Sequence, residues 1–255
     1  MAQPINKLSF KARSLLFAQL SAIAYSDLKE AKVAARRLEF NTIEFYDVNG
    51  AQAYRFMNKY DCIIACRGTQ PNEFNDIKAD LKSIPVMAET VSRVHKGFKS
   101  EVDELWPAIC EDLTRKQNTG KTLWFTGHSL GAGMATIMAS RCLHNLYLND
   151  PVELYTFGSP RVGFKKYCNS LGVIHHRFVN NNDVVTRVPL ILMGYRHHGT
   201  EHYMNSKGNI VKVSGFKRIW DRLKGMAAGI MKLKIDNFSD HSMDCYIENI
   251  KNMKE

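Results

Sequence analysis

Lys121-Thr122-Leu123-Trp124-Phe125-Thr126-Gly127-His128-Ser129-Leu130-Gly131-Ala132-Gly133 is the stretch on which the fold turns. Its first six residues read as a strand, and from Leu130 onward small residues (Gly131, Ala132, Gly133, Ala135, Ala139) recur as on a closely packed helix. A strand that reverses sharply into a helix leaves no room for side chains on either side of its apex, so glycines at 127 and 131 suit a turn with Ser129 at its tip. Such a turn lifts the serine hydroxyl above the strand end and points the helix N-terminus toward it. The pentapeptide Gly-x-Ser-x-Gly alone is weak, because average glycine and serine usage yields it by chance in roughly one chain of ten at this length. Its strand and helix context carries the weight.

Working outward, Asp61-Cys62-Ile63-Ile64-Ala65-Cys66 is a short continuous apolar run, as expected of a strand buried on both faces. Similar runs follow at 123–125, 152–157 and 176–179, with helical patterns between them at about 98–117, 130–147 and 163–170. Strands alternating with helices predict an α/β fold, a mostly parallel central sheet with helices on both faces, whose ligands bind beyond the carboxyl ends of the strands. Before this region, Leu8, Leu15, Leu16, Ala18, Leu20 and Ile23 form a helical pattern, and Asn49-Gly50 between two alternating segments predicts a tight hairpin. With no repeat, low-complexity tract or linker, the chain reads as one domain over 1–255.

A serine hydroxyl is a poor nucleophile at neutral pH, so a histidine must take its proton and a carboxylate must orient that histidine. On the α/β-hydrolase fold these partners follow in the order serine, acid, histidine. Asp183, in Asn180-Asn181-Asn182-Asp183 just past the strand ending at Phe178-Val179, stands where the sheet would present the acid. The alternative there is an aspartate that only stabilises its own turn. Asp150, in Asn149-Asp150-Pro151, reads as a plain turn before a strand. Of nine histidines, His241 in Ser239-Asp240-His241-Ser242 has the right position, just before a terminal helical pattern through Met243, Tyr246, Ile247 and Ile250. About 55 residues separate each successive pair of Ser129, Asp183 and His241, enough for a strand, a helix and their loops. His128 adjoins the serine but points elsewhere if the turn is sharp.

The chain has 255 residues and a net charge of +10, of which residues 205–235 carry eight Lys/Arg against Asp221 alone. That permits attraction to anionic membranes or to nucleic acid, but no nucleic-acid recognition motif is present. Six cysteines lie scattered, mostly within apolar runs, as reduced buried thiols do. Neither a cleavable leader nor an apolar run long enough to span a bilayer is visible. These features predict a cytoplasmic or peripheral-membrane protein, with export by a route without a cleaved leader left open. Cys62 with Cys66, or His197, His198 and His202, could lend metal ligands, but neither set completes a coordination sphere, so neither metal nor cofactor is expected. Alternation would place His198 and His202 on one face of an extended segment.

Taken in order, Arg67-Gly68-Thr69, His95-Lys96-Gly97-Phe98, Gly127-His128-Ser129-Leu130-Gly131-Ala132, Phe157-Gly158-Ser159-Pro160-Arg161-Val162-Gly163, Asn182-Asp183-Val184-Val185, Val188-Pro189 and Asp240-His241 resemble the class 3, or fungal-type, lipase family. The resemblance implies an α/β-hydrolase acting on acylglycerol or phospholipid esters through a Ser129-Asp183-His241 triad. It also implies an oxyanion hole from the backbone N–H groups of Thr69 and Leu130, and a lid at about 70–84. There Phe74, Ile77 and Leu81 recur at helical spacing among polar residues; a permanently packed surface helix reads equally well. Unlike the fungal pattern, this chain lacks a visible leader and evident disulfide pairing. It also carries a basic amphipathic segment at about 216–234, with Phe216, Ile219, Trp220, Leu223, Ala227 and Ile230 on one face, fit to lie in an anionic membrane interface or to cover the core. The leading expectation is a lipase that passes through an acyl-serine intermediate. An esterase for small soluble esters and a non-catalytic lipid-binding protein are the alternatives. Oligomeric state has no signal in the sequence.

Overall fold

The computed structural model describes residues 3–68, 84–181, 183–205, 210 and 240–253. The expected lid (all but Ile84), the basic segment at 216–234 and Thr69 lie outside the described residues.

Helices α1 (Phe10–Ile23) and α2 (Leu28–Arg37) lead into strands β1 (Thr42–Val48), β2 (Ala51–Met57) and β3 (Asp61–Cys66). Val48 pairs with Ala51 across Asn49-Gly50, both at positive φ, the two-residue hairpin expected from that dipeptide. Short strands β4 (Pro85–Met87) and β5 (Arg93–His95) precede α3 (Lys96–Thr114) and α4 (Lys116–Thr119). Then come β6 (Thr122–His128), α5 (Leu130–Leu143), β7 (Pro151–Phe157), β8 (Gly163–Phe164), α6 (Lys165–Ser170) and β9 (Ile174–Asn180). Strands β10 (Tyr195–Arg196) and β11 (Thr200–Met204) and helix α7 (Met243–Lys251) complete the described elements.

The main sheet has the order β1-β2-β3-β6-β7-β9-β11, with β1, β2 and β3 antiparallel and the five strands from β3 to β11 parallel. Strand alternation divides the core. Cys62, Ile64, Cys66, Leu123, Phe125 and Leu154 enter one apolar cluster with α3 and α5, while Ile63, Ala65, Trp124, Tyr155 and Phe157 enter the other with α1, α2 and α7. Both faces of the sheet are therefore covered by helices. Cys62 and Cys66 do share a face, and both thiols are buried in that core, where desolvation pushes the Cys62 thiol up to about 12.

A second, antiparallel sheet of order β10-β8-β5-β4 packs beside the first. Its strands have two or three residues each, too few to show a period. The histidine face expected at 198 and 202 is corrected. Gly199 takes φ +83 and β11 begins only at Thr200, so the alternation breaks. His198 Nδ1 instead meets His175 Nδ1 at 3.2 Å, and His202 Nε2 meets His176 Nδ1 at 3.1 Å. His175 and His176 are consecutive in β9 and face opposite sides, so these are two separate pairs.

Candidate active site

The turn between β6 and α5 has the shape its glycines foretold. Ser129 sits at φ 57 and ψ −129, a region that costs an L-residue of order 1–3 kcal/mol and persists only where its surroundings impose it. Here they do. A Cβ on Gly127 would fall on the backbone of Gly131, and one on Gly131 would fall on the backbone of Cys66 at the end of β3. Ser129 N–H donates to the Phe157 carbonyl at 3.0 Å, tying the apex to the end of β7. The Ser129 Oγ is buried and makes no hydrogen bond among the described residues. Leu130 is the first residue of α5, so its N–H has no partner within the helix.

Asp183 follows β9 and is fully buried. Its Oδ1 accepts from Val185 N at 2.9 Å, and its Oδ2 accepts from His241 Nδ1 at 2.8 Å and from the Tyr246 hydroxyl at 2.6 Å. Donation from Nδ1 leaves Nε2 as the basic nitrogen of the His241 ring. A Cβ on Gly158, at φ +60 beyond β7, would come within 2.8 Å of both His241 and Asp183. Because Gly158 directly follows Phe157, whose carbonyl holds Ser129, the carboxyl ends of β6, β7 and β9 bring all three residues to one place. Asp150 is exposed and precedes β7, at the opposite end of the sheet.

Four further residues, His128, Tyr25, Tyr246 and Asn180, tie this site together. His128 Nε2 lies 2.7 Å from the carbonyl of His241; since a carbonyl only accepts, Nε2 must carry the proton. His128 Nδ1 then accepts from the Tyr25 hydroxyl at 2.8 Å. Burial, then the neighbouring His241, hold His128 well below the usual imidazole range, so it stays neutral in this tautomer. Tyr25 also receives the Gly68 N–H, and a Cβ on Gly68 would lie 3.2 Å from Ser129 Cβ, so β3 ends against the serine. Tyr246, read from sequence as one of an apolar helical row, puts its hydroxyl between Asp183 Oδ2 and the Asn180 N–H. Burial and the adjacent carboxylate raise its pKa well above the phenol range, and it remains a donor. Asn180 Nδ2 donates to the Asp240 carbonyl at 2.9 Å, steadying the loop that carries His241.

A mostly parallel sheet with a strained serine turn at its carboxyl edge, and a buried histidine–aspartate pair at the same edge, is the architecture of α/β-hydrolases with a nucleophile elbow. The family model of class 3 lipases matches residues 63–193, half of the chain, and the chain belongs to that family. It is 32% identical over 172 residues to a lipase of Rhizomucor miehei, covering 62% of this chain and 46% of that protein. To the secreted mono- and diacylglycerol lipase 1 of Fusarium solani it is 33% identical over 117 residues, covering 44% and 34%. The chain thus spans less than half the length of these curated relatives. Among solved structures, the Rhizomucor miehei triacylglyceride lipase superposes with a TM-score of 0.69 at 25% identity, over 78% of this chain and 82% of that one. A triacylglycerol lipase whose catalytic centre is described as a serine protease triad gives 0.65 at 26%, over 76% and 79%.

Proposed function

We propose that this protein hydrolyses carboxylic esters of lipids, acylglycerols or phospholipids, with Ser129 as nucleophile, His241 as general base and acid, and Asp183 as the group that orients and stabilises His241. The observation that carries the reading is the buried 2.8 Å bond from His241 Nδ1 to Asp183 Oδ2 at the strand ends that also hold Ser129. Ser129 Oγ attacks the ester carbonyl carbon as His241 Nε2 takes the hydroxyl proton, and the carbonyl π pair moves onto oxygen. The Leu130 N–H, at the positive end of α5, stabilises that oxyanion. Thr69, directly after the Gly68 that packs on Ser129, supplies the second donor. The pair then returns, the alkoxy group leaves with the proton from His241, and an acyl-serine remains. Water, deprotonated by His241, releases the fatty acid by the same steps in reverse. Family membership and the lipase relatives support the lipid substrate.

The preferred setting is a membrane surface bordering a reducing compartment, a reading supported by six unpaired cysteines and the net charge of +10. Labelling with a fluorophosphonate tests the chemistry: the wild type is modified once, Ser129→Ala is not, and equal labelling of the two overturns the reading. Activity that rises when substrate passes from monomers to micelles or emulsion separates a lipase from an esterase of small soluble esters.

A further inference from the structure

After Val188-Pro189, four consecutive apolar residues stand in solvent: Leu190 is 55% exposed, Ile191 45%, Leu192 97% and Met193 46%. Scattered exposed leucines are ordinary, but a run of four at one tip is not. The run is also fastened by hydrogen bonds. Ile191–Met193 form a single 3-10 turn, with Met193 N–H donating to the Leu190 carbonyl and Gly194 N–H to the Ile191 carbonyl, each at 3.0 Å. Arg196 Nη1 donates to the same Ile191 carbonyl at 2.8 Å, and Arg161 Nη1 to the Pro189 carbonyl at 2.8 Å. Carbonyls satisfied in this way can enter an apolar medium without the usual penalty for unpaired backbone groups. Beneath the turn, Gly194 packs against the ring of Phe164, and the residues that follow Phe164 are the exposed Lys165 and Lys166. An apolar tip with cations at its shoulder matches a lipid surface bearing anionic headgroups.

The turn is fastened to the site. Arg161, which grips it, belongs to the same loop after β7 whose Gly158 lies against His241 and Asp183, and Arg161 N–H donates to the Val188 carbonyl at 2.8 Å. From Asp183 to Leu190 the chain can span no more than about 25 Å. We propose that Leu190–Met193 is a lipid-docking surface, the turn whose insertion into an anionic phospholipid bilayer seats the carboxyl edge of the sheet on its substrate. This deepens the reading of Ser129 as a lipid esterase and rests on it for its purpose, though the docking itself can be measured without turnover.

The test uses the whole chain and vesicles of phosphatidylcholine with and without phosphatidylserine. Flotation of wild type, Leu192→Asp and the double variant Lys165→Glu/Lys166→Glu reads association, and hydrolysis of a water-soluble short-chain ester reports on fold and chemistry. Leu192→Asp is expected to weaken association about tenfold on both vesicle types, with an equal fall in activity on vesicle-borne substrate and no change on the soluble ester. The double lysine variant should lose only the increment due to phosphatidylserine. Wild-type protein that does not float with vesicles, or a Leu192→Asp that floats as well as wild type, overturns the proposal. So does a concentration-dependent dimer that Leu192→Asp abolishes while vesicle binding persists, since the face is then a contact between copies. Binding that depends on Leu192 in a protein without ester hydrolysis supports the docking surface and counts against the catalytic reading instead.

Discussion

The two halves of the site are held in place by different physics. Ser129 is positioned by contact: backbone from Cys66, Gly127 and Gly131 packs so closely that no side chain fits, and the serine is pressed into a positive-φ conformation. His241 and Asp183 are positioned by polar bonds: locally from the Val185 N–H and, from distant parts of the chain, from Tyr246, His128 and, through the Asp240 carbonyl, Asn180. A steric constraint is all-or-none, because backbone cannot move aside without losing the sheet. A hydrogen-bonded constraint is graded, because each bond can be removed singly. Damage to the first half should therefore appear as lost stability, and damage to the second as lost rate in a folded protein.

The largest expected effect breaks the polar half at its centre. Asp183→Asn keeps the shape but lets the amide donate toward His241, favouring the wrong tautomer, and kcat is expected to fall by about 10⁴ with little change in KM. Steady-state kinetics on a soluble ester measure this; a fall of less than tenfold would remove Asp183 from its role. Next comes the steric half. Gly131→Ala pushes a methyl into the backbone of Cys66 and should cost about 3 kcal/mol or more, read as a shift in denaturant midpoint at constant m. If that protein unfolds like wild type, the close-packed account of the turn is wrong.

A smaller effect should sharpen the comparison, because His128 belongs to both halves. It neighbours the serine in sequence, yet its ring holds the His241 carbonyl. His128→Phe fills the space without the bond and should lower kcat roughly tenfold, the usual scale of one buried hydrogen bond. His128→Gln can place an amide donor near the former Nε2 and should recover most of the loss. Equal losses in both variants would mean that His128 acts by packing alone.

Legibility in the sequence follows the same division. The serine turn is local: glycines, strand and helix lie within about twenty residues, and a steric rule links them. The buried strands announced themselves too, with Cys62, Ile64 and Cys66 alternating against Ile63 and Ala65 as pleating requires. Asp183 and His241 stand out by chain order together with ordinary local settings, a polar turn past a strand and a loop before a helix, which by themselves are common. The supporting residues were invisible for a physical reason. Tyr246 lies in step with Met243 and Ile250 and reads as core; only its hydroxyl, meeting a carboxylate from 63 residues away, gives it a further task. The sharp turn sends His128 away from the serine, as its sequence position implies, but nothing in the sequence shows that its ring then meets the loop that carries His241. Helix α2 does carry a helical row through Leu28, Ala31, Ala35 and Leu38, but a row built on alanine is a weak core signal; the four short strands of the second sheet hold too few residues for a period, and Gly199 defeats the alternation of His198 and His202.

The smallest effect concerns the edge strand, on the polar side of the divide. His176 on β9 and His202 on β11 stand 3.1 Å apart with the Phe10 ring against both. Burial, joined by Arg13 for His176 and by His176 and Arg177 for His202, lowers both to about 4. Glu153 lies 3.9 Å from His176 Nε2, and Glu201 is engaged by Arg177 at 2.7 Å, so neither rescues the charged pair. In the unfolded chain these rings titrate near 6.5. Between pH 6.5 and 4 the unfolded state binds more protons, so stability is full above about pH 6.5 and declines as the pH falls toward 4. Discounted for partial exposure, the loss at pH 5 is about 1 kcal/mol, or 2–4 °C in Tm for a chain of this size. His202→Gln should remove only this pair's share of that dependence, because burial also lowers His95, His128, His175 and His198. Hydrogen exchange locates it: amides of β11 lose protection on acidification while those of β6, beneath the sterically fixed serine, keep theirs. Equal loss on both strands would show that acid acts on the fold as a whole and that the two halves of the site are not separable.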